Sequence, residues 1–373
     1  MKIVGLINHN NEGGAQHAMK KLAGCIADRG HSFSIIYLYG VMRESIVMQE
    51  NVLQEQVLYP KKKLSVIGLP FVCHRLVKQL KREEAAAVIC FLPLAAVIGS
   101  ICAAISGITT RIISQRNPAG SYDSLMKFMD CIAGSTPLYT HNICNSHAVE
   151  KSFRKFPYLD AYQKKLSVVY NAVELNKSSE TGSNWKSRLG IASDRRLLVS
   201  VGRLAEQKRH DLAIEIIAKI PDVHLAIAGH GELEGLLRKL SETLGCSKRV
   251  HFLGKLVHSE IYGLLKGADI FLQASSYEGQ SNALLEALAG GSVIVCSNIQ
   301  AHSEVLMCRG GPAGVLIQGW RTEDWIEALE CLFKCGNVQR ALSKLAAQRS
   351  QDFSAENMCD GFLSKVTANE QYR

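Results

Sequence analysis

Glu278 and Glu286 stand eight residues apart in Ser275-Ser276-Tyr277-Glu278-Gly279-Gln280-Ser281-Asn282-Ala283-Leu284-Leu285-Glu286-Ala287-Leu288-Ala289-Gly290. The first lies in a Gly/Ser loop and the second two turns on, inside an apolar run where an unpaired charge is costly to bury. Carboxylates so placed need a hydroxyl-rich or cationic partner.

A second constellation lies upstream. Gly202-Arg203-Leu204-Ala205-Glu206-Gln207-Lys208-Arg209 follows an apolar strand and opens a helix. Two cations, Arg203 and Lys208, beside free helix N–H groups read as a diphosphate clamp; the competing reading pairs both with surface acids. Around Glu278, the backbone N–H groups of Gly279, Gln280 and Ser281, with Ser281 as N-cap, offer a phosphate seat. Glu278 then accepts from sugar hydroxyls and Glu286 from ribose hydroxyls. The alternative makes Glu278 a turn residue and Glu286 a buried ion-pair partner. Gly13-Gly14 and Gly229-His230-Gly231 permit tight turns or close ligand approach, but the dinucleotide fingerprint G-x-G-x-x-G is absent at the first.

The elements that must carry these loops follow a repeated grammar. Apolar strands at 3–7, 33–38, 86–91, 111–114, 141–145 and 166–170 alternate with helical stretches, the first being 15–29, and give one doubly wound domain. Composition shifts to Asn, Ser, Thr and Gly over 171–184, as in a linker. Strands at 197–201, 225–228, 251–253, 270–273 and 293–296, with helices at 209–219, 232–244, 258–266 and 282–289, then build a second. Ligands bind outside the carboxyl ends of such strands, so the loops after 7, 201, 228, 253 and 273 are expected to converge.

Composition bounds the rest. The 373 residues, 47% hydrophobic and 21% charged, suit two globular domains. Residues 1–172 hold 20 Lys+Arg against 11 Asp+Glu and the remainder 23 of each, so the net charge of +9 resides in the first half. That half is expected to face an anionic surface or anionic acceptor, with a solvated basic surface as the bland alternative. Twelve cysteines without a C-x-x-C pair, and Lys2-Ile3-Val4-Gly5-Leu6-Ile7 running into polar Asn8-His9-Asn10-Asn11, point to reduced thiols in the cytoplasm. The uncharged stretch 85–108 reads as a strand, a turn at Pro93 and a helix over 94–106 rather than a membrane span. Lys61-Lys62-Lys63 and a helix over 71–82, apolar at Val72, Leu76, Val77 and Leu80 and basic at Arg75, Lys78, Lys81 and Arg82, fit either anionic headgroups or a helix packed on the sheet.

Together these residues resemble glycosyltransferase family 4, retaining nucleotide-sugar transferases of the GT-B architecture: two Rossmann-like α/β domains facing across a cleft. The matching pieces are Glu12-Gly13-Gly14-Ala15-Gln16, Asn145-Ser146, Tyr170-Asn171-Ala172-Val173, Val201-Gly202-Arg203-Leu204 with Lys208, His251-Phe252-Leu253-Gly254, the Glu278/Glu286 motif, and Phe353-Ser354 before a last helix at 355–368. The resemblance implies an N-terminal acceptor-side domain (1–172), a nucleotide-sugar domain (173–350) and a segment (351–373) crossing back to the first. It implies that Arg203 and Lys208 hold the donor diphosphate and offset leaving-group charge without a metal or cofactor. It further implies Glu286 on the ribose, Glu278 on the donor sugar, Gly279, Gln280, Ser281 and Asn282 on sugar and phosphate, the backbone near Leu256 facing the base, and Gly14 approaching the phosphate as the cleft closes. Gly229 joins this donor-binding set. Where many relatives place a His near the reacting centre, this chain reads Ser114-Gln115-Arg116-Asn117-Pro118, so Arg116 and Asn117 are its expected replacements, contacting the sugar or an acceptor phosphate.

The expectation is a metal-independent, retaining transferase that uses a nucleotide diphosphate sugar, most simply a UDP-sugar. Its acceptor would be a glycan or lipid-linked glycan in cell-surface polysaccharide assembly, at the inner face of the cytoplasmic membrane, with no nucleic acid partner. A GT-B epimerase or hydrolase and a non-enzymatic anionic-surface binder stay open; an NAD-dependent oxidoreductase lacks its glycine fingerprint.

Overall fold

The computed structural model describes residues 1–11, 13–41, 55–155, 159–173 and 185–367. Glu12, most of the expected linker (174–184) and position 368 of the expected last helix lie outside the described residues. The chain divides into two compact units, Met1–Ala172 with Ala355–Arg373, and Val173–Ser354.

The first unit holds seven parallel strands, β1 (Lys2–His9), β2 (Ser32–Tyr39), β3 (Glu55–Tyr59), β4 (Ala87–Phe91), β5 (Thr110–Gln115), β6 (His141–Cys144) and β7 (Leu166–Val168), in the order β3-β2-β1-β4-β5-β6-β7. Ile3, Ile7, Ile35, Ile89 and Ile112 bury their side chains on one face, Val4, Leu6, Ile36, Val88 and Ile113 on the other. Covering both faces with helices is what makes these strands near-continuous apolar runs. The second unit repeats the plan with β8 (Arg196–Val201), β9 (Val223–Ala228), β10 (Val250–Gly254), β11 (Ile270–Gln273) and β12 (Ile294–Ser297), a small hairpin of β13 (Met307–Cys308) and β14 (Gly311–Pro312), and β15 (Val315–Ile317). Its sheet order is β10-β9-β8-β11-β12-β15. Two doubly wound α/β sheets are therefore present, as the strand grammar requires.

The stretch 85–108 is β4 followed by the helix Pro93–Ile105, with the reversal one residue earlier than expected: Leu92 takes φ +74° and Pro93 already opens the helix. No helix among the described residues is long and apolar enough to cross a membrane. The helix Leu69–Glu83 buries Val72, Leu76 and Leu80 in the core and leaves Arg75, Lys78, Lys81 and Arg82 exposed. The stripe of Val72, Leu76 and Leu80 is therefore spent on the core, and the outward side carries the basic residues together with Phe71, 46% exposed in the first turn. In the preceding loop, which no periodicity marks, Val66 and Ile67 are 88% and 91% exposed beside the exposed run Lys61-Lys62-Lys63.

The helix Ala355–Thr367 belongs to the first unit. Met358, Cys359, Phe362 and Val366 enter the same core as Met19, Leu22 and Ile26 of the helix Gly14–Asp28. Gly361 allows this: a Cβ there would lie 2.7 Å from the Val169 side chain.

Candidate active site

The helix Asn282–Ala289 positions the centre of the second unit. Ser281 caps it, its Oγ accepting from Leu284 N at 3.3 Å, and Leu284, Leu285 and Leu288 are buried outright, each worth about 1.5–3 kcal/mol. Gly291 ends it at φ +64°, with Ser292 N donating to Ala287 O at 2.9 Å.

Just before that cap, Glu278 is 9% exposed and carries four hydrogen bonds. Lys208 Nζ (2.6 Å), Ser275 Oγ (2.8 Å) and Gln273 Nε2 (3.1 Å) donate to Oε1, and Gln207 Nε2 (3.2 Å) to Oε2. Burial works to raise the Glu278 pKa, but the Lys208 charge, with His302 nearby and the hydroxyl and ammonium donors, outweighs it and holds the carboxyl below its ordinary range. Lys208 reaches this position across bare backbone, since a Cβ on Gly202 would sit 3.0 Å from its Cε.

The loops after β8 and β9 lock together through glycine. Gly202 N donates to Ala228 O (2.9 Å), Gly229 N to Gly254 O (2.8 Å) and Leu204 N to His230 O (3.1 Å). A Cβ on Gly229, at φ +149°, would fall 1.8 Å from Gly202 O, and one on Gly231 2.3 Å from Leu204 O. His210 lies buried beneath, Nδ1 3.3 Å from Ser200 Oγ; burial first, then the Lys208 charge, pushes its pKa down to about 4 and keeps it neutral.

His302 is the other buried imidazole. Its Nδ1 lies 2.9 Å from Ser297 O, so that nitrogen carries the proton, while Ser297 Oγ donates to Ser275 O at 2.6 Å. Burial lowers its pKa to about 4 against the opposing Glu278 charge. This brace runs from the helix Gln300–Leu306 to the loop bearing Glu278. Gln207, Gln273, Ser275, Ser297 and His302 were missed by sequence reasoning. Gln273 and Ser275, polar at the end of a buried strand, carried the one usable signal.

The two expected clamp cations diverge. Lys208 meets Glu278, whereas Arg203 is 71% exposed and pairs with the exposed Glu232 at 3.0 Å, the surface pairing weighed as its alternative. So solvated a bond holds the guanidinium weakly and leaves it able to turn. Glu286, 13% exposed, faces His258 Nδ1 at 3.6 Å. His258 follows half-buried Leu256 after β10, so Glu286 and Leu256 flank one loop. Gly279 and Gln280 are buried in the turn between Glu278 and Ser281, and Asn282 is half-buried as the first residue of the capped helix. Among the described residues no three His, Cys, Asp or Glu side chains gather as a metal site requires.

Two expected residues belong to the first unit. Gly14 opens the helix after β1, preceded by Gly13 in an extended N-cap conformation with no side-chain cap. Arg116, at the end of β5, is buried, with its guanidinium 4.5 Å over the Phe91 ring. Its neighbour Asn117 is exposed.

Residues 183–349 match the family model described as glycosyl transferases group 1. The D-inositol 3-phosphate glycosyltransferase of Mycobacterium tuberculosis (strain ATCC 25618 / H37Rv) is 30% identical over 186 residues, 48% of this chain and 38% of that protein, so the matched stretch spans well under half of the curated relative. Among solved structures, Anabaena Alr3699/HepE in complex with UDP and glucose is similar at a TM-score of 0.85 and 18% identity, covering 99% of this chain and 100% of that one. Sucrose-phosphate synthase from Thermosynechococcus elongatus is similar at 0.84 and 14%, covering 100% of each. WaaG, a glycosyltransferase involved in lipopolysaccharide biosynthesis, is similar at 0.74 and 16%, covering 98% and 100%.

Proposed function

We propose that this chain, a glycosyltransferase of the GT-B type by its group 1 match and its fold, moves a sugar with retention from a UDP-sugar to a glycan or lipid-linked glycan in cell-surface polysaccharide assembly. The observation that carries this reading is the buried Lys208–Glu278 pair at the carboxyl ends of β8 and β11, inside the region matched to group 1. An ammonium has three N–H groups and Glu278 uses one. The others are available to a diphosphate oxygen while Glu278 accepts from a sugar hydroxyl. As the bond from the anomeric carbon to the diphosphate oxygen breaks, Lys208, joined by Arg203, offsets the charge that collects there, with no metal required. The acceptor oxygen bonds to that carbon on the same face, and its proton passes to the departing phosphate oxygen. Glu286 holds the ribose and the Leu256 loop faces the base. The similar Anabaena structures, in complex with UDP and glucose and with UDP-glucose, support uridine as that base.

Adding UDP at about 100 times its Kd is expected to raise the melting temperature by roughly 5–10 °C, and membrane lipid extract is expected to be needed for UDP release from a UDP-sugar. Release without any acceptor would favour the hydrolase reading; no thermal response to UDP or UDP-sugars would end the proposal.

The acceptor side of this reading has its own support. Val66 and Ile67 beside Lys61, Lys62 and Lys63 combine apolar side chains with a charge that anionic headgroups attract at about 1 kcal/mol per lysine. In flotation with phosphatidylglycerol vesicles, changing the three lysines to Ala is expected to weaken binding about 100-fold, and Val66→Ser with Ile67→Ser to weaken it further. Equal flotation of all variants would remove membrane contact from the proposal.

A further inference from the structure

Arg116 is the one lysine or arginine among the described residues that is buried outright, at 7% exposure. Half-buried cations elsewhere close on backbone carbonyls: Arg249 Nη1 lies 2.7 to 2.9 Å from the oxygens of Ile217, Ile220 and Val223, and Lys165 Nζ 2.8 and 2.6 Å from those of Gly134 and Thr136. Arg116 has far less. Its Nη1 donates to Ser114 Oγ at 3.3 Å and its Nη2 to Asn171 Oδ1, and no carboxylate lies within ion-pair distance among the described residues. Burial pushes its pKa down to about 9, which leaves the guanidinium charged at neutral pH.

A buried cation without an anion is strongly disfavoured, so among the described residues this place in the fold lacks one negative charge. Its surroundings suit a ligand. Arg116, Asn145 and Asn171 follow β5, β6 and β7, on the strand ends where α/β sheets take ligands. Asn145 Nδ2 donates to Arg116 O at 3.2 Å, while its Oδ1 is buried with no hydrogen-bond partner. A phosphate on the guanidinium with a neighbouring hydroxyl on Asn145 Oδ1 would satisfy both.

We propose that Arg116, framed by Ser114, Asn145 and Asn171, is the seat of a phosphate or diphosphate group of the acceptor, so that the acceptor is a phosphorylated hydroxyl compound. The word acceptor rests on the transferase reading above; the anion seat does not. The test is calorimetric titration of the full chain with inorganic pyrophosphate, with and without saturating UDP. Wild type is expected to bind pyrophosphate with UDP present, R116M at least tenfold more weakly and R116K in between, with UDP affinity unchanged throughout. Without ligand, R116M is expected to melt at or above the wild-type temperature, because an uncompensated charge is gone. Equal pyrophosphate affinity in R116M would overturn the proposal. So would R116M failing to fold or melting well below wild type, which would make Arg116 a brace. Displacement by UDP of the Arg116-dependent pyrophosphate would overturn it too, by assigning the seat to the sugar donor. If UDP does not bind but Arg116-dependent pyrophosphate binding persists, the anion seat stands and the transferase reading falls.

Discussion

Lys208→Met is expected to slow sugar transfer by two to three orders of magnitude, on the order of what one preorganised electrostatic contact supplies, and to destabilise the protein by about 3–5 kcal/mol at pH 7. The second effect arises because Glu278 stays behind, 9% exposed, without its ammonium. Gln207, Gln273 and Ser275 still donate to it, which places the loss toward the lower end of that range. In the parent the Glu278 pKa is depressed, so its contribution to stability is complete above the ordinary glutamate range and is lost as pH falls through the folded value. In Lys208→Met burial, the largest influence on this carboxyl, acts unopposed by the ammonium, and the pKa is expected to rise above the ordinary glutamate range. Stability of the variant therefore falls as pH rises through the new value, the reverse of the parent. Urea melts between pH 4 and pH 8 read this directly. Lys208→Met with Glu278→Gln is expected to recover most of the stability and none of the activity. If the single variant matched the parent at every pH, the pair would have no part in holding the loop.

Gly229→Ala is the second large effect. Its Cβ would fall 1.8 Å from Gly202 O, and a backbone atom cannot swing aside as a side chain can. The position also sits at φ +149°, a conformation that costs an L-residue about 1–3 kcal/mol before the overlap is counted. Separating the loops after β8 and β9 displaces the backbone that carries Lys208 over Gly202. UDP-induced thermal stabilisation is expected to disappear, with the unliganded melting temperature lowered. Gly235→Ala is the matched control: nothing lies within 4 Å of its added Cβ, and alanine in the helix Glu234–Thr243 is expected to gain up to about 1 kcal/mol. Equal UDP responses in the two variants would refute the idea that Gly229 shapes the phosphate loop.

The central strands of both sheets were legible because a parallel strand covered on both faces must be an apolar run. Two of the four edge strands, β3 and β15, were not, whereas the edges β7 and β10 fall on the expected runs 166–170 and 251–253. β3 is Glu55-Gln56-Val57-Leu58-Tyr59 and buries only Leu58 outright, while β15 has three residues, so neither presents a run long enough to separate it from a loop. At the candidate site, spacing marked Lys208, Glu278 and Glu286 individually. It could not mark the contacts between them and their neighbours, because Lys208 and Gln207 meet Glu278 across about 70 residues of chain. Arg203 shows the converse: a motif position fixes the residue but not which way a long, solvated side chain turns. The helix Leu69–Glu83 is similar, since periodicity gives an apolar stripe without saying whether protein or lipid covers it.

The return of the helix Ala355–Thr367 to the first unit has a consequence during synthesis on the ribosome. The whole second unit is made between the first seven strands and the helix that completes their core, so it can fold while its predecessor still waits. Until residue 366 emerges, the nascent first unit exposes the sockets of Phe362 and Val366 to water, and a chain stalled near residue 350 would keep that apolar surface open.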